Sequence, residues 1–212
     1  SAGGGGSSKT FAKVTLLGSQ AVGKTSIVRR YCFDKFPQEY KVTLGADFGT
    51  KHVDVDGTMS TLQVWDTAGQ ERFNSLGAAF YRGSDACVLV YDVTDARSLE
   101  SLDGWMDTFT SKAEVDAAEG FPFVVVGNKS DKPRGEHQVT EEQGKAWAEA
   151  HNCLAHFQVS AKENINIEPA FLTVVREVLA RQKEADDGGA DAIPDMVDIA
   201  PSKAKDDGCP CQ

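Results

Sequence analysis

Gly18-Ser-Gln-Ala-Val-Gly23-Lys24-Thr25 sets two glycines, a lysine and a hydroxyl at the spacing G-x-x-x-x-G-K-[ST]. Glycine lets a backbone wrap closely around a phosphate. Successive N–H groups then form an anion nest, and a helix starting directly after it adds the positive end of its dipole. Lys24 supplies a point charge for β- and γ-phosphates, and the Thr25 hydroxyl can ligate Mg²⁺. The bland alternative is a Gly-rich turn before a helix. Average residue usage makes a chance match somewhere in such a chain on the order of one in a hundred. Ser19, Gln20, Ala21, Val22, Gly23, Lys24, Thr25 and Ser26 are therefore the candidate phosphate-binding residues.

Three further groups carry chemistry. In Asp66-Thr-Ala-Gly69-Gln70-Glu71, an Asp at a strand end can hold a Mg²⁺ shell through water, and Gly69 offers an N–H to a γ-phosphate. Gln70 can orient an attacking water. In Asn128-Lys129-Ser-Asp131, the Asp131 carboxylate can accept both the N1–H and the N2 amine of guanine, a pair that adenine lacks. Asn128 can bridge loops, and the Lys129 stem can cover one face of the base. Ser160-Ala161-Lys162 follows the next strand, where the Ala161 N–H can meet the guanine O6. Each group alone is a routine polar loop after a strand. Their order, and their shared place at strand C-terminal ends, is not routine.

The elements that must position these loops follow from patterning. Strands are predicted over 11–17, 47–55, 59–65, 86–93, 123–126 and 154–159, and helices over 24–32, 98–111 and 140–151. Asp56-Gly57 marks a tight hairpin between the second and third strands. Thr140-Glu-Glu-Gln143 is a capping box. Phe171, Val174, Val175, Val178 and Leu179 form one apolar stripe of a last helix that ends near Gln182. Residues 34–45 and 66–76 read as loops. Strands alternating with helices predict an α/β fold: a six-stranded, mostly parallel sheet with helices on both faces and one antiparallel edge.

Three segments are expected: a flexible lead over 1–9, one nucleotide-binding domain over 10–183, and a disordered tail over 184–212. The formal charge is −10 in 212 residues, which argues against a nucleic-acid binder and against a polybasic membrane clamp. The tail alone carries eight acidic and two basic residues, a net −6. No apolar run approaches the ~20 residues that span a bilayer, and the Gly/Ser-rich start lacks the apolar stretch of a secretory signal. Five cysteines without a framework spacing suit a reducing compartment.

Taken together, these motifs resemble the small GTPases of the Ras superfamily over roughly residues 10–183, and within them the Rab family. Thr43-Leu-Gly-Ala-Asp-Phe48, Trp65-Asp-Thr-Ala-Gly-Gln-Glu-Arg-Phe73 and Phe80-Tyr-Arg-Gly83 carry the Rab likeness. Ser75-Leu-Gly-Ala-Ala-Phe80 and Phe121-Pro-Phe-Val-Val-Val-Gly-Asn-Lys129 are similar to the late-endosomal and vacuolar type.

The resemblance implies a P-loop NTPase (small G-protein) fold that binds GTP and GDP with Mg²⁺ and hydrolyses GTP slowly as a switch in vesicle traffic. Lys24 and Gln70 are then the catalytic residues. Thr43 corresponds to a Mg²⁺-ligating threonine, Phe36 to an aromatic against the guanine, and Tyr40 to a tyrosine that closes over the phosphates. Phe48, Trp65 and Phe80 correspond to an aromatic triad read by effectors. Residues 34–45 contain no arginine, so no finger is expected in cis, and a GTPase-activating protein should accelerate hydrolysis roughly 10³–10⁵-fold.

The further partners implied are an exchange factor, a GDP dissociation inhibitor, a Rab escort protein with geranylgeranyl transferase, and GTP-state effectors. The implied location is the cytoplasmic face of late endosomes, lysosomes or vacuoles, cycling with the cytosol. Cys209 and Cys211 resemble a double-prenyl Cys-x-Cys, followed here by Gln212. An acidic tail gains nothing from anionic lipid, so both chains are expected to be needed for a stable anchor. Gln20 and Ala21 stand where Ras itself has glycines, which bears on how an activating protein reaches the γ-phosphate. The competing functions are a nucleotide-locked scaffold, an ATP-using P-loop enzyme and a Ras- or Rho-type signalling GTPase. Gln70 argues against the first, Asn128 to Asp131 against the second, and the triad with Cys209 and Cys211 against the third.

Overall fold

A computed structural model describes residues 10–37, 39, 41–43, 45–69, 79–115 and 120–188. The elements in chain order are β1 (Thr10–Leu17), α1 (Lys24–Phe33), β2 (Ala46–Val55), β3 (Thr58–Thr67), β4 (Ala86–Asp92), α2 (Ala96–Glu100), α3 (Leu102–Ala113), β5 (Phe123–Asn128), α4 (Glu141–Ala150), β6 (Ala155–Gln158) and α5 (Ile167–Gly188). Residues 79–81 are also helical. The sheet order is β2-β3-β1-β4-β5-β6. Only β2 runs antiparallel to its neighbour. The α/β expectation with one antiparallel edge holds.

Burial follows the patterns that built the elements. β4 and β5 are buried along their whole length, as strands covered on both faces must be. One core lies between the sheet and α1 with α5, where Ile27, Val28, Phe171, Val174 and Val178 meet Val14, Leu16 and Val126. The other lies under α3 and α4, where Trp105, Phe109 and Ala148 meet Leu17, Leu89 and Val125. Asp56 and Gly57 both adopt positive φ (52° and 84°), the turn that lets β2 and β3 pair from Ala46↔Thr67 to Val55↔Thr58. The capping box at Thr140 forms in both directions.

Most boundaries shift by one or two residues; two differences go further. The helix expected over 98–111 is two: α2 starts earlier, capped by the Asp95 side chain, and α3 follows after Ser101. Ser101, with φ −71° and ψ −12°, lies at the junction, and its hydroxyl donates to the Ser98 carbonyl. The last helix continues to Gly188, so residues 184–188, expected in the tail, are helical. Helix propagation costs little per residue once a packed stripe has nucleated it, so α5 outruns its apolar face.

Candidate functional site: a phosphate and base cleft at the strand ends

β1 lies between β3 and β4, where the order of the sheet reverses, and its C-terminal end opens the crevice in which open α/β sheets bind ligands. Four loops converge there, after β1, β3, β5 and β6. The buried charged residues among those described are Lys24, Asp66 and Asp92, and all three belong to this crevice.

The phosphate loop follows β1. Gly23 takes φ 100° as the N-cap of α1, no side chain caps the helix, and its first turn carries no acidic residue. The first-turn N–H groups thus keep their affinity for an anion. Lys24 is 5% exposed and donates to the carbonyls of Gly18 (2.6 Å) and Ser19 (3.0 Å). Burial lowers its pKa to about 8, against a raising pull from Asp66. A buried ammonium with this cost is stabilised by any anion that enters the loop. Val22 is buried, Ser26 half-buried, and Gln20 and Ala21 exposed.

The candidate metal ligands meet at one point. The Thr25 hydroxyl donates to Asp66 Oδ2 at 2.6 Å and lies 2.8 Å from the Thr43 hydroxyl. Thr43 donates to the same carboxylate oxygen at 3.3 Å. Asp66 Oδ1 is buried with no hydrogen-bond partner. Burial raises the Asp66 pKa, and the Thr25 bond and the Lys24 charge oppose that rise. Two hydroxyls and one carboxylate, of which one oxygen is orphaned, fit a hard cation that takes oxygen ligands. Gly69 completes this side: a Cβ on it would lie 2.6 Å from the Ser19 carbonyl and the Gln20 nitrogen, so only glycine lets the β3 loop close on the phosphate loop.

The base side is built differently. Asn128 donates from Nδ2 to the Val22 carbonyl (2.9 Å) and accepts at Oδ1 from the Ala161 N–H (3.1 Å), joining three loops with one side chain. A Cβ on residue 23 would sit 2.3 Å from Asn128 Nδ2, a second reason for glycine there. Ser160 donates to Asp131 Oδ1 at 2.7 Å, which leaves the other carboxylate oxygen to a ligand. Lys129 takes φ 68°, and its ammonium pairs with Asp92 at 2.5 Å. Arg30 of α1 ties down the last loop through the carbonyls of Ala161 and Lys162. Phe36 is an exposed ring in the loop after α1.

The structure thus brings together Lys24, Thr25, Thr43, Asp66 and Gly69 on one side, and Asn128, Lys129, Asp131, Ser160 and Ala161 on the other. Gln70, Tyr40, Cys209 and Cys211 lie outside the described residues. The sequence reading missed Asp92, which ends β4 as Asp66 nearly ends β3; an acid closing an apolar strand was the available signal.

Phe48 and Trp65 face each other across the β2–β3 ladder, ring centroids 5.2 Å apart, and Phe80 lies 5.9 Å beyond Trp65. Gly49 packs against Cys32 of α1, so by strand alternation Phe48 points away from that helix. The three rings form one aromatic run, with the Lys13 ammonium 4.8 Å above Trp65.

The comparisons with known proteins agree with this geometry. The family model described as "Ras family" matches residues 13–180. GTP-binding protein yptV5 of Volvox carteri is 47% identical over 199 residues, 93% of this chain and 95% of that protein. Ras-related protein Rab7 of Pisum sativum is 45% identical over 205 residues, 96% and 98% of the two chains. Ypt/Rab-type GTPase avaA of Emericella nidulans is 46% identical over 203 residues, again 96% and 98%. The chain belongs to the Ras family and is a Rab-type GTPase.

Proposed function

We propose that this GTPase is a membrane-traffic switch of the late-endosomal and vacuolar kind, reading GTP against GDP through the crevice described above. The observation that carries the nucleotide part is the meeting of Thr25 and Thr43 on one buried Asp66 carboxylate beside the buried Lys24. The names of the Pisum and Emericella relatives support the traffic part.

In this reading Lys24 and the N–H groups of residues 19–26 hold the β- and γ-phosphates. Asp131 accepts the guanine N1–H and N2 amine, Ala161 donates to O6, and Phe36 and the Lys129 stem flank the base. Thr25, Thr43 and, through water, Asp66 would hold Mg²⁺, which would supply positive charge against the β- and γ-phosphates. Gly69 donates its N–H to the γ-phosphate, and Gln70 orients the attacking water. Tyr40 closes over the phosphates. Loss of the γ-phosphate removes the hold on Thr43 and Gly69, which releases both loops.

Phe48, Trp65 and Phe80 form the surface that GTP-state effectors read. An activating protein supplies the missing arginine, an exchange factor reloads GTP, and a GDP dissociation inhibitor shuttles the GDP form through the cytosol. No helix among the described residues is long and apolar enough to cross a membrane. Attachment to the cytoplasmic face of late endosomes, lysosomes or vacuoles rests on prenylation of Cys209 and Cys211 after presentation by an escort protein to a geranylgeranyl transferase.

Single-turnover hydrolysis tests the switch. The purified chain should hydrolyse GTP slowly, and Gln70→Leu should slow it further while GTP stays bound. Fast unassisted turnover, or a Gln70→Leu rate equal to wild type, would sink it. Imaging of an N-terminally tagged chain with and without Cys209→Ser and Cys211→Ser tests the location: diffuse wild-type protein would refute the anchor.

A further inference from the structure

Ser19 is bound by the protein on its side-chain side. Its hydroxyl lies 2.7 Å from the Ser101 hydroxyl, and the Trp105 indole N–H reaches it at 3.4 Å. The protons can be assigned. An indole N–H only donates, so Ser19 Oγ accepts from Trp105. The Ser101 proton is committed to the Ser98 carbonyl at 2.9 Å, so Ser19 donates to Ser101. The Ser98 hydroxyl in turn accepts from the Asp92 N–H (2.9 Å) and donates to the Asp95 carbonyl (2.6 Å). Asp92 pairs with Lys129 and accepts from the Thr94 N–H and hydroxyl. Trp105, Ser98 and Asp92 are all buried. Two sets of polar contacts thus lie behind the cleft: one runs from the phosphate loop to the Ser98 carbonyl at the junction of α2 and α3, the other from the Ser98 hydroxyl to the Asp92 N–H and, on the Asp92 carboxylate, to Lys129; the residues Ser98 and Asp92 themselves join them.

We infer that Ser101 and Trp105 are positioning residues for the nucleotide: they hold Ser19, and the chain through Ser98 and Asp92 couples the phosphate half of the cleft to Lys129 of the base half. The inference rests on the nucleotide-switch reading above. Ser19 is where the pull concentrates, because its carbonyl also accepts from Lys24 and packs under Gly69. If the Ser19 side chain is let go, the loop carbonyl that orients Lys24 moves with it.

The test is release of a fluorescent GDP analogue from the full chain in Mg²⁺, measured for Ser19→Ala, Ser101→Ala, their double variant and Trp105→Phe. Each serine variant should release the analogue about five- to tenfold faster, the effect of one part-buried hydrogen bond. The double variant should be no faster than the quicker single one, since both remove the same contact. Trp105→Phe removes the indole N–H together with the pyrrole part of a buried ring, so it should speed release about two- to threefold, and its denaturant midpoint separates the lost N–H contact from lost packing; it keeps the question decidable if Ser101→Ala does not fold. Release within twofold of wild type for Ser101→Ala with no change for Trp105→Phe overturns the inference, as does a double variant whose effect is the product of the singles. If wild-type chain holds no guanine nucleotide, the functional reading itself fails; if it holds nucleotide and the variants behave like it, only the positioning role fails.

Discussion

The two halves of the cleft are stabilised in opposite ways. On the base side each polar side chain already has a protein partner: Asn128 uses both ends of its amide, Asp131 is fixed by Ser160, and Lys129 is paired with Asp92. On the phosphate side the balance is incomplete. Lys24 is buried with only loop carbonyls and a nearby carboxylate to offset it, and Asp66 keeps an orphaned oxygen. A satisfied network is rigid and costs little to leave as it is. A buried charge with partial compensation makes the local stability depend on what binds. In the proposed reading the base side therefore sets which nucleotide enters, and the phosphate side registers how many phosphates it carries. That division is what a switch needs, because both nucleotide states share the base and differ only at the γ-phosphate.

The largest effect should come from the charged side. Lys24→Met removes a buried charge that would bond both terminal phosphates, and guanine nucleotide affinity should fall roughly 10³-fold or more by equilibrium titration. The same variant should be more stable than wild type without nucleotide, because it no longer buries a bare ammonium. Next is Asp131→Ala, which loses two bonds to a carboxylate and should weaken GTP and GDP by the same factor, roughly 10²-fold. Thr43→Ala should instead weaken GTP alone, roughly tenfold, leaving GDP unchanged. Equal losses for GTP and GDP in Thr43→Ala, or unequal ones in Asp131→Ala, would erase the division between the halves.

Two smaller effects concern pH. Lys24 has a native pKa of about 8, below its ordinary 10.5. Between those values the unfolded chain binds more protons, so stability without nucleotide should rise from pH 8 toward pH 10.5. Lys24→Met should remove that rise, as read from denaturant midpoints. His156 sits under α4 with its Nε2 2.9 Å from the Tyr91 hydroxyl, and burial lowers its pKa to about 4 from 6.5. The native state keeps it neutral, so its contribution is whole above pH 6.5 and is lost as pH falls toward 4. His156→Gln should flatten the midpoint over that window. This second slope belongs to the sheet and should appear with or without nucleotide, whereas the Lys24 slope should vanish when phosphate is bound.

Legibility divides along the same line. The phosphate loop was readable because its chemistry lies in consecutive residues: a nest is a local backbone property, and the glycines, Lys24 and Thr25 fall within eight positions. The capping box at Thr140 and the hairpin at Asp56-Gly57 were readable for the same reason. The base side was only partly readable. Asn128 and Asp131 stand out after an apolar strand, but nothing local ties Asp92 to them; that link needs β4 and β5 side by side, with Asp92 opposite Asn128.

Residue order sets which chemistry is available: an anion nest, a lysine, hydroxyls and carboxylates at strand ends, and an apolar alternation that forces a covered parallel sheet. Tertiary structure alone decided which of those groups share a proton or a charge. Ser19 and Ser101 are 82 residues apart, and Ser19 and Trp105 are 86 apart. No local pattern encodes such contacts; they exist because the strand order places β1 beside β4 and sets the start of α3 against the phosphate loop. The physical reason is one of range: backbone nests, caps and turns are settled within a few residues, whereas the partner of a buried polar side chain is settled only by what the packed sheet brings within about 3 Å of it.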